Sequence, residues 1–277
     1  MIKRMISAGA RALLVALLIA MPALVLPGVS PDTTQIVALL SLLGALLTFV
    51  EYVSDYPSLI EFRNAPPFNR MRFLALFATV ILLTLIARGE THPTLLTAAI
   101  TGLGAMIGQA MDFPFSPVRL MVLMLPEKTP AAELDILRTY AGMAYLISLM
   151  AIILFVACVR VLNWPIRKAA FNFWVNLPLF DPTAGGDVLT RLKRDSHINV
   201  ALGFLLPFLI PAVLKAATAW IGPIGLTDPH TLIWTMSAWA FLPASLIMRG
   251  VALMRIADLI EEKRRRAYAQ ASELQAA

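Results

Sequence analysis

Few residues in this chain have the type and spacing to do chemistry. Asp112 and Arg119 lie seven positions apart, on either side of Phe113-Pro114-Phe115-Ser116-Pro117, with Gln109 one turn earlier. The surrounding sequence is apolar, and an ionisable residue in such a setting is a functional candidate by default. Asp112 and Arg119 could pair, or line a path for an ion or a headgroup. The plainer reading is that both sit at an interface and end helices. Lys215 stands in another apolar run, just beyond Pro207 and Pro211. Two prolines four residues apart suggest a hinge, and broken or kinked spans with polar sites occur in transporters. The competing reading is that Lys215, six residues from Ile221, snorkels to the headgroups.

Two other regions are polar enough to act. The stretch from Glu51 to Arg70 carries Glu51, Asp55 and Glu61 among Tyr52, Tyr56, Phe62 and Phe68. Paired carboxylates can serve acid–base chemistry, but no histidine, cysteine or serine elbow accompanies them. An ordered loop that docks a partner fits the aromatics and prolines better. The segment 164–180 sets Arg167 and Lys168 beside Phe171, Phe173, Trp174 and Phe180. Aromatic and basic side chains together favour the headgroup layer, so Pro165 is expected to open a short helix lying flat on the membrane. Arg167, Lys168 and Trp174 are the expected lipid or partner contacts there. Lys263-Arg264-Arg265-Arg266 in the tail is a further contact, attracting anionic lipid by about 1 kcal/mol per charge near a surface. Leu253, Ile256 and Ile260 repeat at helical spacing and offer a stripe for a partner helix.

Cofactor signals are lacking. His92, His197 and His230 lie far apart, Cys158 is the one cysteine, and no HxxxH, HExxH or CxxC spacing exists. No metal or other cofactor is expected. Asp181-Pro182-Thr183-Ala184-Gly185-Gly186-Asp187 lacks the lysine of a phosphate loop and the ligand count of a calcium loop, and reads as a turn.

The elements that must hold these residues follow from composition. Of 277 residues, 59% are hydrophobic and 14% charged, with mean hydropathy +0.76. Soluble domains run at about 45–50% apolar and about 25% charged. A soluble protein of this composition would expose large apolar patches. The chain is therefore expected to be an all-α, polytopic integral membrane bundle. The basic residues, net charge +6, are scattered between apolar runs and form no groove-sized patch, which argues against nucleic acid as a partner.

Spans are expected near 12–28, 35–51, 73–87, 141–160, 198–221 and 231–248. The first reads as an uncleaved span, since Pro22 and Pro27 stand where small residues would mark a cleavage site. Residues 94–125 differ: Gly104 and Gly108 form a GxxxG pair, Ala98 and Gly102 repeat small-xxx-small spacing, and the prolines at 114 and 117 break the helix. Positive charge decides how to count this segment. If 94–125 enters and leaves from one face, six spans remain, and 18 basic residues fall inside against four outside. If all seven runs cross, the best division is 13 against nine. A re-entrant or broken element is the expectation, and an atypical seventh span the alternative. Residues 1–250 form one membrane domain, and 251–277 a basic helical tail.

Both ends are then cytoplasmic, in a bacterial inner membrane. Expected partners are membrane lipids, anionic headgroups included, and other membrane subunits or a second copy of the chain. The leading functional reading is a non-catalytic accessory, assembly or scaffolding subunit of a membrane complex. The alternatives are a transporter or channel for a small solute or lipid, and a lipid-modifying enzyme acting near Asp112 or Glu61.

Overall fold

A computed structural model describes residues 2–126, 128–165, 172–181, 183, 185–221 and 228–276. The described residues form helices α1 (Ile2–Val25), α2 (Pro31–Val53), α3 (Phe68–Thr91), α4 (Leu95–Met111), α5 (Pro117–Met124), α6 (Ala131–Val161), α7 (Phe173–Asn176), α8 (Val188–Ile221) and α9 (Pro229–Ala276), and no strand. Six of them, α1, α2, α3, α6, α8 and α9, are long and apolar enough to cross a membrane. The chain is a helical membrane bundle. In hydrocarbon a backbone must satisfy its own hydrogen bonds, and a helix does so within one segment.

Local signals start the helices. Ser30 accepts from the Thr33 N–H, with Pro31 at the first position of α2. Thr94 and Thr97 exchange hydrogen bonds reciprocally at the head of α4. Ser116 caps α5, and Pro117 opens it. Each cap supplies an acceptor to N–H groups that have no partner inside the first turn.

Contacts sort the helices between two ends of the bundle. Arg4 of α1 reaches Asp55, Trp164 after α6 reaches the Ala65 carbonyl, and Arg249 of α9 reaches Glu61. The start of α1 and the extension of α9 therefore leave at one end, termed here the basic end. At the far end, α5 packs with α6 and the last turns of α8. Val118, Met121 and Met124 share a core there with Leu232, Ile233 and Met236. A second core at the basic end joins Phe62, Phe68, Phe155, Trp164, Leu192 and Ile256.

Small residues set the closest approaches. A Cβ built on Gly142 of α6 would stand 2.5 Å from the Gly108 Cα, and one on Gly108 would stand 2.7 Å from the Arg138 carbonyl oxygen. Gly108 of the α4 GxxxG pair thus meets a third glycine on α6, while Gly104 faces Thr139 and Ile86. Gly102 has nothing within 4 Å of such an atom among the described residues, so the Ala98–Gly102 repeat faces outward. Gly203 and Gly250 play the same part between antiparallel α8 and α9, where Ser196 Oγ donates to the Gly250 carbonyl at 2.7 Å. The approaches of α4 fall on Ile86 and Gly89 of α3 and on residues 138–143 of α6. Those positions lie toward the far end of both helices.

α8 remains helical through Pro207 and Pro211. Pro211 has no N–H to give the carbonyl four residues earlier. That carbonyl, on Pro207, instead accepts from the Trp239 indole N–H at 3.1 Å. The proline pair is therefore tied to α9 by a side chain on the neighbouring helix.

The glycine contacts make a stability prediction. Gly142→Leu should lower the thermal midpoint in detergent by the equivalent of at least the roughly 1–3 kcal/mol typical of overpacking. Gly102→Ala should leave the midpoint unchanged. Equal behaviour of the two variants would show that α4 and α6 are not in the contact described.

Candidate functional site

The break between α4 and α5 is built around Asp112. Pro114 stops one helix, and Ser116 with Pro117 starts the next. The Asp112 side chain is 6% exposed, and its Oδ2 accepts from Arg138 Nε at 2.6 Å. Arg119 reaches the same carboxylate at 3.3 Å. Arg138 also bonds Asp135, one turn earlier on α6. The pairing of Asp112 with Arg119 follows from their spacing. The shorter bond from Arg138 does not, because it joins residues 26 apart on different helices. A carboxylate held between two guanidinium groups is a fixed anion that clasps α4, α5 and α6 at one point.

Gln109 stays outside this cluster. Its side chain is on the exposed face of α4, and only its carbonyl takes part, accepting from the Asp112 N–H at 3.3 Å. Lys215 reaches across from α8, with Nζ donating to the Leu123 carbonyl at 2.7 Å. That carbonyl belongs to the last turn of α5, where acceptors have no partner inside the helix and the dipole favours a cation. Lys215 thus makes a cross-helix bond from α8 to α5. Lys215, Pro207 and Pro211 line up along α8 as ties to α5 and α9.

The polar groups of the basic end are also engaged. Glu51 accepts from the N–H groups of Ser58, Leu59 and Ile60 at 2.9–3.1 Å, so its carboxylate organises the turn after α2. Arg63 donates to the carbonyls of Glu51 and Ser54 at 2.7 and 2.6 Å, covering the C-terminal end of α2. Burial lowers the Arg63 pKa from its ordinary value, and Arg4 adds to this. Arg4 bonds the Ser54 carbonyl and the Asp55 carboxylate, and its hydrogen bond holds Asp55 below the usual carboxylate range. Glu61 pairs with Arg249 through two bonds, at 2.5 and 2.7 Å. The Glu61–Arg249 pair joins residues 188 apart, which no local pattern indicates.

Residues 166–171, where a helix opened by Pro165 was expected to lie flat on the membrane, are outside the described residues, and the flanking rings divide between core and surface. Trp164 is fully buried against Phe62, Phe68 and Phe155, and donates to the Ala65 carbonyl at 3.2 Å. Phe180 is buried too, and helix is confined to the four residues of α7 within the described part of the segment. These rings find a protein core, which competes with the headgroup layer for aromatic surface. Trp174 is exposed, and Arg167 and Lys168 lie outside the described residues.

α9 runs on for 48 residues. At about 1.5 Å per residue it is roughly 72 Å long, more than twice a hydrocarbon core. Leu253 and Ile256 are buried against Trp164, Leu177 and Leu192, so the chain itself covers the stripe that a partner helix was expected to use. Lys193 pairs with Glu261 at 2.6 Å, and Arg264 with Asp187 at 2.8 Å, fastening the start of α8 to the extension. Lys263, Arg264, Arg265 and Arg266 are exposed. Among the described residues no three acidic, histidine or cysteine groups gather as a metal site. No family model matches the chain, nor does any curated protein or solved structure.

Arg249→Gln should strand the Glu61 carboxylate and cost about 3 kcal/mol, the low end for breaking a buried pair. Glu61→Gln combined with Arg249→Gln should recover part of that loss in unfolding from mixed micelles. A double variant as unstable as the sum of its parts would remove the pair from the account.

The Asp187 carboxyl is held below its ordinary value, first by the Arg264 hydrogen bond. A depressed folded value means the tie is present above the unfolded value, near pH 4, and fades as pH falls through the folded one. Protection of the amides around 260–268, measured against their intrinsic exchange rate at each pH, should therefore fall in acid, and Asp187→Asn should show that lower protection already at pH 7. Protection indifferent to both changes would show that the tie is not holding the extension.

Proposed function

We propose that this chain is a non-catalytic accessory, assembly or scaffolding subunit of a membrane complex. It sits in a bacterial inner membrane with both ends in the cytoplasm. The orientation is supported by the concentration of lysine and arginine at the basic end. The observation that carries the functional reading is the extension of α9. It leaves the membrane packed against α8, with its basic cluster exposed at a fixed place.

Arg265 lies 16 residues beyond Arg249, roughly 24 Å along the helix. A Debye length under physiological salt is about 8 Å. An extension standing off the bilayer therefore offers Lys263, Arg265 and Arg266 to an acidic protein surface more readily than to the lipid beneath. The enzyme reading draws less support, because Asp112 and Glu61 are each tied in ion pairs rather than poised as free bases.

A second reading, passage of a small solute, is favoured by the helix break at Asp112. Irregular backbone at membrane depth is tolerated where protein covers it or water reaches it. On the orientation above, α4 and α5 form a re-entrant element open to the periplasmic side.

Charge reversal of Lys263, Arg265 and Arg266 to Glu keeps the Arg264–Asp187 tie and separates these readings. The native chain, extracted into nanodiscs from its own membrane, should carry stoichiometric partner subunits by mass spectrometry. The triple variant should lose them at an unchanged thermal midpoint. A lone native chain whose midpoint shifts with a small solute would replace this proposal with the transport reading.

A further inference from the structure

Both ends of α4 lie at the far end of the bundle. A Cβ on Gly89, in the last turn of α3, would stand 3.0 Å from Thr97 Cβ and 3.5 Å from Thr101 Oγ1. One on Gly104 would stand 3.2 Å from Ile86 Cδ1 and 2.9 Å from Thr139 Cγ2. Asp112 reaches Arg138, in the second turn of α6. From Thr97 to Asp112 the chain advances roughly 22 Å along the helix axis. Its partners shift far less: Gly89 to Ile86 is about 4.5 Å along α3, and Met143 to Arg138 about 7.5 Å along α6. The helix therefore runs sideways across α3 and α6 at nearly constant depth.

Charged side chains stand at that level. Arg88, Glu90, Glu133 and Asp135 are exposed there, and Arg119 is half-buried. Charge is costly at mid-bilayer and at home among headgroups, so α4 lies beside the headgroup layer. Its outward face carries none. Leu95, Ala99, Gly102 and Met106 run along the middle of that face at helical spacing, all exposed. Thr101, Ala98 and Gln109 fall along one edge, and Leu96, Leu103 and Ile107 along the other. The Thr101 edge turns toward Gly89, nearer the end of α3, and so the leucine edge turns toward the bilayer interior. Bulky apolar groups gain from acyl chains, while small and polar ones suit the headgroup side.

The break after α4 extends the same surface. Phe115 is held at φ +66°, a left-handed backbone that a bulky side chain rarely adopts. Its ring is 89% exposed, and Phe113 is exposed beside it. Strain retained at such a residue points to a use for the ring. Water does not reward an exposed phenyl ring, whereas the boundary of an acyl layer does.

We infer that α4 lies in the plane of the far leaflet, with Leu95, Leu103 and Met106 bedded in acyl chains and Phe113 and Phe115 anchoring the break at the headgroup boundary. The partner of this surface is the lipid of one leaflet. This placement is independent of the accessory role proposed above, since it needs only a bilayer around the bundle.

The test uses the full chain in vesicles of phosphatidylethanolamine and phosphatidylglycerol, with a nitroxide attached through Leu95→Cys, Met106→Cys or Ala110→Cys. All three positions are exposed, and native Cys158 is buried, so the unsubstituted chain supplies the background. Paramagnetic resonance should show each label colliding more with oxygen than with a water-soluble nickel chelate. The depths at 95 and 110 should agree within about one helical turn, roughly 5 Å. A helix crossing the bilayer would separate them by about 22 Å, and that result would overturn the placement. Free nickel access at all three labels would overturn it too, putting the face in water. Shielding from both reagents would replace the lipid with a second copy of the chain. Phe115→Asn relaxes the left-handed backbone, so its thermal midpoint in detergent should hold or rise. In vesicles the same change should open the label at 110 to nickel. A label that does not respond would remove the phenyl ring from the anchor.

Discussion

The governing constraint on this chain is that a polar group removed from water must find its partner inside the protein. Helices meet this for the backbone, and the exceptions show how strictly it holds. The carbonyl released by Pro211 is taken up by the Trp239 indole, and the last turn of α5 receives Lys215. The turn after α2 is organised by a carboxylate from α2 itself, and the helix break at 112–116 by two arginines. All but the Glu51 turn also fix the position of a neighbouring helix, so these polar groups supply specific contacts that apolar side chains in lipid do not.

Shape is fixed by a different device. Apolar side chains gain little from leaving lipid for one another, so close packing depends on residues small enough to let backbones touch. Gly108 with Gly142, and Gly203 and Gly250 between α8 and α9, are those places. The exposed leucines of α1 and α2 show the opposite case, a surface left to solvate itself in acyl chains.

The helical membrane class was legible because hydrophobic content and run length report directly on solvent. The prolines at 114 and 117 and the glycines of α4 marked the odd segment for local reasons that survive folding. Asp112 with Arg119 could be seen because the two lie seven residues apart. The pairs of Glu61 with Arg249 and Asp112 with Arg138 were invisible, since each depends on which helices become neighbours. The place of Trp164 was open for a related reason. Its ring is as compatible with a headgroup layer as with a core, and only the nearness of Phe62, Phe68 and Phe155 decides. The basic tail read correctly as a helix, while its apolar stripe was already taken by the chain's own loop.

An unbroken helix that begins inside a bilayer and ends well outside it is a lever. From Arg249 to its last described residue, α9 extends roughly 40 Å, so a tilt of about 10° in its membrane portion swings the tip by roughly 7 Å. Small changes in how the bundle sits in lipid therefore become large displacements at a distance, with the Lys193–Glu261 and Arg264–Asp187 ties setting how stiffly the motion is carried.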